Sequence, residues 1–165
     1  HPRVCGVTAL NQMLVVLRQS LSPLMRPFTP CQAMRKMFRV RENQFKYKMY
    51  GTPSGDPYSM FSFITNMRTS ITALHHHHNV LSYQTTERGP YTSFKIMYAN
   101  VENGCFIFVV NDRIHGRACR LVRTLRTAEQ RVPQACWSIY LNNCPGEDVV
   151  IFERHCRYLI ATVLI

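Results

Sequence analysis

Acidic side chains, glycine and long apolar runs are all scarce in this chain of 165 residues. Only nine residues are Asp or Glu, spread too thinly for a two-metal carboxylate site. The sole adjacent pair, Glu147 and Asp148, sits in an apparent turn, so paired-carboxylate hydrolysis is unsupported. The seven glycines form neither G-x-x-x-x-G-K-[ST] nor G-x-G-x-x-G, which removes the loops that cradle nucleotide phosphates. The most apolar stretches, "MLVVL", "CFIFVV" and "YLIATVLI", fall far short of the roughly 20 residues that span a bilayer. No C-x-x-C pair, internal repeat, linker or targeting segment is visible, and the chain opens "HPRVCG" without methionine, as a processed product or a fragment would. No cofactor and no metal are implied.

What is present is enough apolar material to fold. Hydrophobic residues make up 46% and charged residues 18%, so burial can offset the entropy of ordering the chain. The length suits one core rather than two, and residues 1–165 are expected to form a single domain. Seven cysteines stand at 5, 31, 105, 119, 136, 144 and 156. An odd count leaves at least one outside any intrachain pairing, and several lie in apolar runs as buried thiols do. That pattern favours a reducing intracellular compartment, with three disulfides and one free thiol in a secreted protein as the alternative.

The charge is lopsided: 20 Lys plus Arg give a formal +11, and arginine outnumbers lysine 16 to 4. Guanidinium offers a planar fork to phosphate and stacks on bases, so the surplus points to polyanionic partners.

Along the chain, the first half has helix periodicity. Val7, Leu10, Met13, Leu14 and Leu17 fall at helical spacing, with Val15 and Val16 widening the stripe. Thr29 before Pro30, and Asp56 before Pro57, read as caps of two further helices whose apolar faces are Ala33, Met34, Met37 and Phe38, and Met60, Phe61, Ile64 and Met67. The second half reads as strands. "NVLSYQTT" and "YTSFKIMY" form a hairpin, residues 104–110 ("GCFIFVV") an interior strand, and "CWSIYL", "DVVIF" and "RYLIATVLI" further strands. One helix interrupts them: Ala118, Leu121, Val122 and Leu125 lie at i, i+3, i+4 and i+7, which predicts a helix over 116–131 bounded by Pro133. The expected fold is α+β, with N-terminal helices followed by a largely antiparallel sheet interrupted by one basic amphipathic helix.

Two basic clusters hold 12 of the 20 cations. Arg117, Arg120, Arg123 and Arg126 would advance about 300° per step around that helix, a band that Arg113 and Arg131 extend. Arg35, Lys36, Arg39, Arg41, Lys46 and Lys48 form the second, and "FKYKMY" alternates so that Phe45, Tyr47 and Met49 share one strand face while the lysines share the other. Cations beside aromatics suit phosphate contact and base stacking. The expectation is a non-enzymatic subunit binding nucleic acid, RNA before DNA, or joining a nucleoprotein assembly; an acidic protein surface is the other partner considered.

Cys5 supplies the enzymatic alternative. "CGVTALNQML" puts a cysteine at a helix start, where the dipole favours thiolate. The arrangement resembles papain-like cysteine peptidases, in which Cys-Gly opens a buried helix. The resemblance implies His78 as base and Asn100 as its orienting group, although the segment that carries the oxyanion-hole glutamine in that family is absent. Four consecutive histidines, 75 to 78, cannot all face one ion in regular structure and are expected to form a polar loop; His115 and His155 stand alone.

Overall fold

The computed structural model describes residues 4–72 and 75–164, and the side chains of Val4 and Cys5 lie outside that description. The chain runs α1 (Val4–Thr8), β1 (Leu14–Ser20), β2 (Ala33–Arg41), β3 (Gln44–Gly51), β4 (Phe61–Ser70), β5 (Val80–Gln84), β6 (Tyr91–Asn100), β7 (Cys105–Asp112), β8 (Gly116–Thr124), α2 (Gln134–Asn143), β9 (Asp148–Val150) and α3 (Cys156–Ala161), with 3₁₀ turns at Pro23–Met25 and Leu125–Thr127.

Each strand from β2 to β8 pairs antiparallel with the next. β1 closes the ring, meeting β8 on one side and β2 on the other through Leu14 opposite Met34 and Val15 opposite Ala33. The result is an eight-stranded antiparallel barrel, which removes the open edges a sheet would otherwise present. Beyond a register shift between Val16 and Arg18, β1 leaves β2 and takes β9 as its neighbour, with Arg18 opposite Val150.

The expected α+β fold with helices first is therefore corrected. Of the first predicted helix only Val4–Thr8 is helical, and its apolar residues from Leu14 onward lie in β1; the helices expected after Thr29 and Asp56 are β2 and β4. Leu14 and Val16 face the barrel interior, whereas Val15 packs under the C-terminal segment. A strand buried on both faces shows a continuous apolar run, and such a run also satisfies helical spacing. The same reason overturns the helix at 116–131, since Val122 packs inside and Leu121 outside β8. Conversely, "CWSIYL" and "RYLIATVLI", read as strands, lie largely in α2 and α3. The hairpin of β5 and β6, the interior strand β7 and the alternation of β3 are found where expected.

Three apolar clusters organise the molecule. One fills the barrel, a second joins the outer faces of β1 and β2 to α3, and a third joins the outer faces of β7 and β8 to α2. Disulfides fasten the outer layers: Cys105–Cys136 and Cys119–Cys144 tie β7 and β8 to α2, and Cys31–Cys156 ties the segment before β2 to α3. One end of the barrel is closed by α1, whose Val7 enters the interior cluster and whose Thr8 carbonyl accepts a 2.7 Å hydrogen bond from Lys36 Nζ.

Candidate functional site

The inner faces of β5 to β7 carry an aromatic stack. Tyr83 and Phe94 lie with ring centroids 5.0 Å apart, and Phe94 and Phe108 6.2 Å apart. Into this wall projects Arg120, directly opposite Phe108 on β7 and Gln19 on β1. Its guanidinium carbon lies 5.1 Å from the Phe94 ring centroid, and Nη1 donates to the Tyr83 hydroxyl at 3.4 Å. The residue is 2% exposed, and its Nε and Nη2 have no hydrogen-bond partner. The Tyr47 hydroxyl and Gln19 Oε1 are likewise buried without partners. Burial pushes the Tyr83 phenol up, with Arg120 pulling the other way, and burial also pushes the Tyr47 phenol up beyond its ordinary range. Both remain neutral donors around neutrality.

A narrow cavity of about 30 Å³, partly open to solvent, extends from this cluster to the end of the barrel opposite α1. Leu14, Val16, Met34, Met49, Phe63 and Val122 give it an apolar wall, with Tyr83 and Arg120 as polar points. Residues 21–32 fold across the mouth. Gln19 Nε2 donates to the carbonyls of Met25 and Pro27 at 2.9 and 2.7 Å, and Gln32 Nε2 to those of Pro27 and Thr29 at 2.8 and 3.0 Å. Met25 is thereby fully buried. Unbranched methionines can repack, so Met34 and Met49 let the wall adapt to an occupant.

The first basic cluster is dispersed by strand geometry. A three-residue spacing on a period-two element sends successive arginines to opposite faces. Arg117 lies outside, half-buried against Asn111 and Met97; Arg120 points in; Arg123 points out but is covered, donating to the carbonyls of Gly104, Gln130 and Asn103. Arg113, Arg126 and Arg131 are exposed in turns. In the second cluster Arg39 and Arg41 are exposed, and Arg35, Lys36, Lys46 and Lys48 are half-buried, with Lys36 engaged by α1 and Lys48 lying 5.6 Å from the Tyr50 ring centroid. The helical band expected of the first cluster is thus not formed.

Of the peptidase set, only His78 and Asn100 have described side chains. The Cys5 side chain lies outside the described residues, His78 Nδ1 is 3.1 Å from Thr69 Oγ1, and Asn100 Oδ1 accepts from the backbone of Asn103. Cys31, His155 and Cys156 cluster within metal-ligand reach, but the two sulfurs are already bonded to one another.

A family model described as tick histamine binding protein matches residues 12–158. The chain belongs to that family. No curated protein matches it. Among solved structures it is similar to japanin from Rhipicephalus appendiculatus bound to cholesterol, at 14% identity and TM-score 0.63, with 90% of this chain and 97% of that chain covered. It is also similar to AM182 in a serotonin complex, at 8% identity and TM-score 0.64, covering 88% and 85%. Lobster apocrustacyanin A1 follows at 12% identity and TM-score 0.55, covering 86% and 76%. These likenesses bear on the fold, a lipocalin-like barrel with a C-terminal helix.

Membership corrects the functional reading. The RNA-binding or nucleoprotein subunit, with nucleic acid or an acidic protein as partner, gives way to a family of small-ligand binders, and the cations that suggested it are partly interior. The family is described by binding rather than catalysis, in line with a non-enzymatic protein. Three disulfides form and persist where the medium is oxidising, so the reducing intracellular location is corrected to a secreted, extracellular one. Sequence reasoning missed Arg120 as an interior residue because arginine is almost never fully buried. The one available signal was its place between Leu121 and Cys119 in a run that a central strand would also produce.

Proposed function

We propose that the protein takes up one small, largely apolar molecule in the barrel and holds it beneath residues 21–32. The observation that supports this most directly is the covered interior cavity with its apolar wall and few convergent polar atoms, the lining small-molecule sites usually have; its free space of about 30 Å³ has to widen by repacking of Met34 and Met49 around an occupant. The family is described by histamine and two similar structures contain cholesterol and serotonin. An amine needs a buried carboxylate to offset its charge, and none of the nine acids of this chain is buried. An uncharged or acidic apolar molecule therefore suits this interior better than histamine or serotonin.

Native mass spectrometry of the disulfide-bonded protein with cholesterol, dodecanol, histamine and serotonin tests the reading. The expected outcome is a saturable one-to-one complex with cholesterol or dodecanol and weaker uptake of the two amines. If none of the four forms a saturable complex, the barrel is not a carrier.

A further inference from the structure

We infer that Arg120 anchors the acidic head of the ligand, so that the barrel selects a molecule with an apolar body and one carboxylate. This rests on the carrier reading above and names the class of molecule carried.

The argument starts from cost. A buried cation without a counter-charge is strongly destabilising, and folded proteins rarely keep one unpaired. Arg120 is 2% exposed, the Phe94 ring and the Tyr83 hydroxyl meet only part of its requirement, and every Asp and Glu side chain is exposed or half-buried, with none in an ion pair with it. The atoms left over are Nε and Nη2. Those two nitrogens form one edge of the guanidinium, the fork whose parallel N–H bonds match the two oxygens of a carboxylate. Arg123, three residues along the same strand, shows the contrast: its nitrogens donate to three backbone carbonyls, as a structural arginine's should.

The donors nearby agree in sign, while Gln19 Oε1, opposite Arg120, is an orphan acceptor that a carboxylate would leave unsatisfied. The Tyr47 hydroxyl is a further orphan donor in the same interior cluster, and burial keeps it protonated. Arg120 also lines the cavity beneath the mouth. A carboxylate seated on the Nε and Nη2 edge would leave its chain directed along the apolar wall toward Met34, Met49 and Phe63.

Competition among dodecanoate, dodecanol and dodecylamine at neutral pH separates the head groups while holding the chain constant. Dodecanoate should bind at least about tenfold more tightly than dodecanol, the size expected of a charge-assisted pair of hydrogen bonds, and dodecylamine more weakly than either. In Arg120→Met the preference for dodecanoate over dodecanol should vanish while dodecanol still binds. The ligand-free Met variant should be at least as stable as the parent, because an unpaired buried charge has been removed. Equal or tighter binding of the amine or alcohol by the parent overturns the inference and leaves the carrier reading intact. So does a carboxylate preference that survives in Arg120→Met. A Met variant that fails to fold shows Arg120 to be structural and overturns it as well. If none of the three binds, the carrier reading fails and takes this inference with it.

Discussion

Gly104 shows how closely single residues are fitted here. It adopts φ +58°, a left-handed conformation that L side chains rarely take. A Cβ added there would overlap Thr124 Oγ1 and stand 2.8 Å from Thr127 Oγ1, while the Gly104 carbonyl accepts from Arg123 Nε at 2.9 Å. Gly104→Ala should therefore lower stability by about 1–3 kcal/mol, read as a fall in the denaturant midpoint with an unchanged slope. Burial acts on the tyrosines in a different way. Tyr47, Tyr83 and Tyr140 all have their phenols pushed up, Tyr140 also by Asp148, which accepts its hydrogen bond at 3.1 Å. Unfolded tyrosine ionises near pH 10. Above that pH the unfolded chain has released protons that the folded one retains, so stability from these groups is fully present below about pH 10 and declines as pH rises. Phenolate absorbance should thus show a normal phase and a delayed phase that coincides with loss of the near-ultraviolet dichroism. Three buried tyrosines titrating together with the rest, before unfolding, would contradict their burial.

Among elements, residues 21–32 are distinguished by what holds them. Four hydrogen bonds from two glutamine amides keep this segment over the mouth, and Thr85 Oγ1 adds one to the Arg26 carbonyl at 3.4 Å. Gln32→Leu removes two of them and leaves carbonyls to find water, so amide exchange in the segment should quicken and bound ligand should leave faster, at a stability cost of about 1–3 kcal/mol. Unchanged exchange in this variant would show that the two Gln32 bonds do not hold the cover. Legibility of the elements followed burial. β3 was readable because Lys46 and Lys48 mark its outer face against Tyr47 and Met49, and β5 with β6 because a polar turn separates them. β1 and β8 were not, since α2 and α3 cover their outer faces and erase the alternation that identifies a strand. The candidate site was less legible than the fold: a three-residue arginine spacing has opposite meanings on a helix and on a strand, and only the paired register sends Arg120 inward.

On the scale of the whole molecule, the interior cluster runs from Val7 in α1 to Ile151 beyond β9, so nearly the full length of the chain contributes to one core. We propose that residues 1–165 unfold as one domain, with calorimetric and van't Hoff enthalpies in agreement for the oxidised protein. Two resolved transitions would divide it. The Cys31–Cys156 bridge, 125 residues apart in sequence, carries a further consequence for biosynthesis. During elongation at about 5–20 residues per second, Cys31 emerges long before its partner. Cys105 and Cys119 both appear while it waits, and each finds its own mate within 31 and 25 residues. The fastening of the ligand mouth is therefore the last of these three disulfides that the nascent chain can close, so the site where cargo would enter is secured after the outer helix α2.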